Sequence, residues 1–310
     1  MKKLIWKWVA KGFLGNILLL FGPFLRQREK LLGLRNPLHM KFITTEQGGN
    51  LYVSEFENHI SLGSASGKLI RFDPDQFEDD VSFLFDRLVK KSDTVLDIGA
   101  NNGFHTVLFS KKASNGRVFA FEPLRKFAQQ ASLNCALNGA NNVKIVSCAL
   151  GAKDENLDMK VNIGGVGLQG TSTFIDNNKH VGENPGFYET QSMPVRRLDG
   201  IINKIGISDK VNFMKIDTEG FDTMVLEGAM RTIQTYRPVM FVEAHTTRLI
   251  EAGKSWAWYI DTFPDYHILV MYPTTRAKPY LHLEPLTPDL PIISVNLLML
   301  PKCPNLAFDK

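Results

Sequence analysis

A chain of 310 residues, 44% hydrophobic and 22% charged, is ordinary for a globular protein and can bury a sizeable core in one large domain with additions. Its three cysteines, Cys135, Cys148 and Cys303, lie far apart without any CxxC or Cys/His metal spacing. That excludes a disulfide framework and leads to the expectation of a reduced, cytoplasmic chain with no bound metal. The net charge of +4 is uneven: residues 1–35 hold eight Lys/Arg and a single acid, Glu29, which leaves the remaining 275 residues at −3, so the body lacks the basic footprint of a nucleic-acid binder.

In chain order, Lys3, Lys7 and Lys11 recur every four residues and stack on one helical face, close to Trp6, Trp8 and Phe13. The apolar stretch from Gly12 to Leu25 has 14 residues, fewer than the roughly 20 needed to span a bilayer. No small-residue cleavage site follows it, so a cleaved signal peptide is not expected. The predicted role of residues 1–25 is an interfacial helix in peripheral contact with the inner membrane face. An amphipathic helix packed on the main domain is the competing reading.

Residues 36–77 read as a small β-rich cap. Strands are predicted at 41–44, 50–53, 60–62 and 68–72, with Gly48-Gly49, Gly63 and Gly67 as turns. The main domain is predicted over 78–305. Val81, Leu84, Phe85 and Leu88 space an amphipathic helix over 79–90. Strands near 94–98, 117–121, 143–149, 211–216 and 239–243 then alternate with helices near 103–113, 123–138 and 220–235. That rhythm predicts an α/β domain, a mostly parallel sheet with helices on both faces. Residues 151–195 read as a hairpin or flap over the site. The stretches 266–272 and 293–300 break the rhythm and are expected to pair antiparallel at one edge of the sheet.

The candidate site follows from this layout. Val95-Leu96-Asp97-Ile98-Gly99-Ala100-Asn101-Asn102-Gly103 is a buried strand running into a small-residue turn and a helix start. Such a turn admits a ligand close to the backbone, and the helix aims free N–H groups at it. Glu122 ends the next strand, where a ribose hydroxyl is held in nucleotide-binding folds. The dinucleotide fingerprint wants a glycine where Asn101 stands, so a cofactor without phosphates fits better, and S-adenosylmethionine is the obvious one. Asp217, Glu243 and His245 fall at later strand ends, and a ligand crevice lies beyond the carboxyl ends of such strands. Methyl transfer to oxygen needs an oriented hydroxyl and a base. His245 is the predicted base because of its near-neutral reference pKa, with Asp217 or Glu243 orienting it or binding the hydroxyl. The same Asp/Glu/His set also has the chemistry to hold a divalent cation; metal-free catalysis is the reading preferred here. His105 is expected to cap or pack near the helix start, and Glu219 to favour the helix dipole.

These residues also form an ordered series. Asp97-Ile98-Gly99-Ala100-Asn101-Asn102-Gly103 resembles the D-x-G-A-N-x-G motif of FkbM-type methyltransferases. Phe121-Glu122-Pro123 with Asn134 and Leu137-Asn138 looks like their F-E-P…N…L-N segment. Ala149-Leu150-Gly151, Arg197-Leu198-Asp199, Lys215-Ile216-Asp217-Thr218-Glu219-Gly220, Leu226-Glu227-Gly228-Ala229 and Glu243-Ala244-His245 follow in the family's order. The likeness covers about residues 78–300. It implies a Rossmann-like class I methyltransferase fold with seven strands, the last antiparallel. It implies S-adenosylmethionine as donor and usually a hydroxyl on a sugar or polyketide as acceptor; a saccharide, glycolipid or other hydroxyl-bearing small molecule is therefore expected, the lipid link resting only on the N-terminal segment. By resemblance, Asp97, Gly99, Ala100, Asn101, Gly103 and Glu122 contact the donor, and Asp217 lies close to the methyl group. A nicotinamide-dependent oxidoreductase on the same sheet and a non-catalytic scaffold are the alternatives.

Overall fold

The computed structural model describes residues 40–44, 50–54, 84–85, 87–163, 172–174, 185–272, 282–291 and 294–302. The predicted N-terminal helix and the predicted strands at 60–62 and 68–72 lie outside them. Of the cap, β1 (Met40–Thr44) and β2 (Asn50–Ser54) form an antiparallel pair.

Among the described residues the main sheet has eight strands. Its first parallel set is β3 (Thr94–Ile98), β4 (Arg117–Phe121) and β5 (Val143–Val146). Helices α1 (Phe104–Lys112) and α2 (Arg125–Leu137) make the crossovers. A small second sheet follows, built from β6 (Ala149–Leu150), β7 (Glu155–Asn162) and β8 (Tyr188–Arg196). β7 and β8 pair antiparallel along their length, so the predicted hairpin is present.

The chain returns through α3 (Leu198–Ile201) to β9 (Phe213–Ile216), then through α4 (Asp222–Gly228) and α5 (Met230–Tyr236) to β10 (Val239–His245). Next come α6 (Thr246–Glu251), α7 (Trp256–Thr262), β11 (Tyr266–Tyr272), β12 (His282–Pro285) and β13 (Ser294–Pro301). The strand order is β12-β11-β13-β10-β9-β3-β4-β5. β13 runs antiparallel to both β10 and β11, as the edge pairing predicts. The eighth strand is β12, added antiparallel at the edge from within a Pro-rich stretch that reads as loop in the sequence.

The expected single helix over 220–235 is two. Ala229 leaves helical geometry at φ −111°. Asp199 then starts a new helix by accepting the Arg231 N–H (2.9 Å), the Thr232 N–H (2.8 Å) and the Thr232 hydroxyl (2.6 Å). At the same break, a Cβ on Gly228 would sit 1.9 Å from the Gly151 carbonyl oxygen, so the two backbones cross where a side chain cannot fit.

Alternation along the strands divides the core. Leu96, Ile98, Met214 and Ile216 pack on one face of the sheet. Val95, Phe213 and Phe241 face the other, with Phe85 and Phe109. Chain order reverses between β3 and β9. A crevice is therefore expected beyond the ends of those two strands.

Candidate active site

On one side of this crevice the polypeptide turns sharply after β3. Gly99, Asn101 and Gly103 all take left-handed φ, at 79°, 50° and 84°. The Gly99 and Ala100 N–H groups both donate to the Phe121 carbonyl at 3.0 Å, which ties the turn to the end of β4. A Cβ on Gly99 would lie 1.8 Å from the Asp217 carbonyl oxygen. Glycine is required here by the neighbouring chain. Gly103 packs on Ala131 of α2. Asn102 Oδ1 accepts the Phe104 N–H at 3.1 Å, so the first donor of α1 is capped from within the protein.

Glu122 closes this side. Its Oε2 accepts the Asn101 N–H at 2.9 Å and its Oε1 accepts the Leu124 N–H at 2.8 Å. Burial pushes its carboxyl up to about 7, against the pull of those two amides.

Asp97 is expected as a donor contact; the structure shows the company it keeps. It is fully buried beneath the turn, where it accepts the Thr106 hydroxyl at 2.5 Å. The reason is strand parity: Asp97 shares the face of Val95 and points towards α1. Its register partner on β9 is Lys215, also buried, with the ammonium 3.8 Å from Asp97 Oδ1. The sequence reading gave Lys215 no role. The signal was a lysine inside the apolar run Phe213-Met214-Lys215-Ile216.

On the other side stand four carboxyl groups. Asp217 follows β9, with 37% of its side chain accessible, and accepts the Lys215 ammonium at 3.0 Å. β10 runs past the end of β9, because Val242 is the last residue paired with Ile216. Glu243, one residue on, therefore stands beside Asp217, close enough for each carboxyl to shift the other. Burial works against a charged Asp217, but Lys215, with smaller help from Glu243 and His105, holds its carboxyl below the usual range. The charge of Asp217, then burial, pushes Glu243 well up. Such a pair shares one proton.

Glu219 and Asp222 complete the group. Glu219 is held at φ 55° and is followed by Gly220 at 99°, a strained corner of the kind found at functional sites. Burial, Asp217 and Asp222 together push Glu219 up to about 8. Asp222 ties the loop by accepting the Thr218 N–H (2.9 Å) and the Thr218 hydroxyl (2.7 Å) on Oδ1. The small sheet reaches this loop as well: the Thr173 hydroxyl donates to the Glu219 carbonyl at 3.1 Å, and Phe174 packs on Phe221.

His245, predicted as the base, is the N-cap of α6. Its Nδ1 accepts the Thr247 N–H at 3.3 Å and lies 2.7 Å from the Thr247 hydroxyl. Burial and the Arg248 guanidinium depress its pKa, against Glu251. The extension of β10 to His245 decides this, since the strand's last residue becomes the helix's first cap. His105 packs among Phe85, Phe104 and Phe109, as expected of a residue at the helix start. Among the described residues, no group of three or more His, Cys, Asp or Glu is arranged to hold a metal ion. No described helix is long and apolar enough to cross a membrane.

Comparison with known proteins matches residues 97–269 to the Methyltransferase FkbM domain. The chain is 24% identical over 145 residues to Methyltransferase 1 of Beauveria bassiana (strain ARSEF 2860), a match over 43% of this chain and 57% of that protein. It is similar to the crystal structure of methyltransferase FkbM from Methylobacillus flagellatus KT, at 19% identity and a TM-score of 0.41 over 77% of this chain and 47% of that one. It is also similar to an O-methyltransferase from Bacillus cereus in complex with SAH, at 14% identity and a TM-score of 0.40 over 71% of this chain and 78% of that one. The chain thus spans about half the length of the first two relatives. The matched segment exceeds half of this chain and runs from the glycine turn through the acidic group, so the chain belongs to the FkbM methyltransferase family.

Proposed function

We propose that this chain is an S-adenosylmethionine-dependent O-methyltransferase acting on a hydroxyl of a saccharide or glycolipid. The observation that carries the reading is that the turn after β3 lies between Glu122, at the end of β4, and Asp217, at the end of β9, which is solvent-accessible and in contact with the Lys215 ammonium. Each Glu122 oxygen accepts one amide N–H and keeps lone-pair capacity for a ribose hydroxyl, so the residues present fit the donor. When bound, the donor supplies an electrophilic methyl group on a sulfonium. Gly99, Ala100, Asn101 and Gly103 shape the turn beside it, with Asp97 holding that turn from beneath.

Asp217 is the group suited to accept the proton of the acceptor hydroxyl, because it is reachable and the Lys215 ammonium at 3.0 Å favours its charged form. Glu243, kept protonated beside it, is suited to donate a hydrogen bond to an oxygen. An acidic, hydrogen-bonding wall of this kind suits a polyhydroxylated acceptor. The nicotinamide alternative is disfavoured. Gly99 is glycine to clear the Asp217 carbonyl, and Asn101 carries a side chain where a pyrophosphate needs bare backbone.

Calorimetry on the full chain with S-adenosylhomocysteine and with NAD tests the donor. Binding of S-adenosylhomocysteine is expected; binding of NAD alone overturns the reading. Incubation of cell-envelope glycolipids with methyl-labelled donor tests the acceptor, with label expected on saccharide. Label only on protein or nucleic acid would replace the acceptor class. The basic, tryptophan-bearing residues 1–25 support peripheral attachment at a cytoplasmic membrane face, where a lipid-linked acceptor is presented. Flotation with anionic vesicles should be lost when residues 1–35 are removed; equal flotation removes the attachment from the proposal.

A further inference from the structure

The lysine beneath the acidic wall is not explained by donor binding, and it lies out of a substrate's reach. Lys215 is only 3% exposed and sits between two carboxylates, Asp217 Oδ2 at 3.0 Å and Asp97 Oδ1 at 3.8 Å. Asp97 Oδ1 has no hydrogen-bond partner among the described residues, so its relation to Lys215 is one of charge. Strand register fixes the set: Asp97 pairs with Lys215 across β3–β9, and Lys215 pairs with Phe241 across β9–β10. Two residues beyond each of the last two, on the same face of the sheet, come Asp217 and Glu243.

The row thus runs Asp97, Lys215, Asp217, Glu243, with one ammonium among three carboxyl groups. A buried ammonium is strongly desolvated and remains charged only with close anionic partners. Three ionised carboxyls around one ammonium leave excess negative charge, so a proton is retained on one of them. Distance decides which. Asp217 lies 3.0 Å from the Lys215 ammonium on its own strand, whereas Glu243 stands across on β10, with Asp217 between it and the lysine's charge.

We propose that Lys215 is a positioning residue: its buried ammonium, braced by Asp97, fixes Asp217 as the ionised member of the Asp217–Glu243 pair and so makes Asp217 the acceptor of the proton that leaves the substrate hydroxyl. This rests on the methyl-transfer reading. The acceptor O–H bond breaks with its proton passing to Asp217. The acceptor oxygen's electron pair forms the new C–O bond as the C–S bond breaks, with that electron pair left on sulfur. The pair then holds two protons and returns one to solvent. The other charged or titratable groups facing Asp217 are His105 from α1, Glu219 and Asp222 from the loop and start of α4, and, through Glu219, Arg248 from α6.

The test is carbon-13 NMR of the side-chain carboxyls in the full chain, with Asp217 and Glu243 assigned from Asp217→Asn and Glu243→Gln. In the wild type at pH 7, Asp217 is expected to be ionised and Glu243 protonated. In Lys215→Met, the Asp217 midpoint is expected to move up by at least about one pH unit, a tenfold change in proton affinity. Lys215→Arg should restore part of the shift. Two ionised carboxyls in the wild type at pH 7 overturn the proposal whether or not Lys215→Met folds. So does an unchanged Asp217 midpoint in a folded Lys215→Met. S-adenosylhomocysteine binding by wild type is measured separately, so failure of the donor reading is distinguishable from failure of this one.

Discussion

On the side of the crevice formed by β3 and β4, the polar contacts are made largely by main chain: the Asn101 and Leu124 amides hold Glu122, and the Phe121 carbonyl holds the turn. On the side formed by β9 and β10, the contacts that set protonation join side chains: Lys215, Asp217 and Glu243. The first side is geometry imposed by glycines and strand ends. The second is electrostatics, in which each carboxyl's state depends on the others. Amides cannot titrate, so the β3–β4 side offers fixed contacts, and the Glu122 carboxyl they hold is the part of it that responds to pH near neutrality. On the acidic side, the protonation of each carboxyl depends on its neighbours' charge.

The strongest test of this contrast is Asp217→Asn. Turnover should fall by about 10²–10⁴-fold, the range for loss of a general base. Affinity for S-adenosylhomocysteine, measured by calorimetry, should hold. A comparable loss of affinity would show that the two sides are not separable.

Gly99→Ala should damage both sides at once. Its Cβ would meet the Asp217 carbonyl, and its φ is 79°. The expected cost is about 3 kcal/mol from overpacking and backbone strain, read from denaturant unfolding. A wild-type midpoint would mean that the close approach relaxes at little cost.

Glu122→Ala should weaken S-adenosylhomocysteine binding by about 10–100-fold, the worth of a charge-assisted hydrogen bond, while leaving the Asp217 titration in place. In the wild type, affinity should fall as pH drops below about 7, where Glu122 takes up its proton. Affinity that is flat between pH 8 and pH 6 would take Glu122 out of donor recognition.

His245→Ala should cost about 1 kcal/mol through loss of the α6 cap, with turnover per folded molecule retained. If turnover collapses while Asp217→Asn stays active, His245 is the base.

Glu219→Gln should act in the opposite sense, without loss of turnover. The folded carboxyl, at about 8, holds its proton more tightly than an unfolded one near 4.5. The stability this confers is complete below the unfolded value and is lost as pH rises through the folded one. Substitution should therefore raise the melting temperature by several degrees, about 5 °C or more, at pH 8 and leave it nearly unchanged at pH 4. An equal change at both values would mean that Glu219 does not titrate as its surroundings require.

The motifs that give the family resemblance divide along a line the sequence does not draw. Asp97 to Gly103, Glu122 and Asp217 to Gly220 stand at or beneath the crevice. Arg197-Leu198-Asp199 ends in the cap of α5, and Gly151 and Gly228 let two backbones cross. These motifs hold the frame. His245 ends its strand as the sequence predicts; that it also caps α6 is not visible there, because a strand's last residue and a helix cap look the same in one dimension. Lys215 was passed over because its meaning depends on Asp97, 118 positions earlier in the chain.

The sequence by itself determined the alternating α/β frame, the glycine turn and the Glu122 strand end. Periodicity, turn chemistry and short-range spacing are local properties that fix which elements form. Only the tertiary structure decided which acidic groups meet. Register between β3, β9 and β10 sets Asp97, Lys215, Asp217 and Glu243 in one row, and electrostatic energy depends on distance in space, not along the chain.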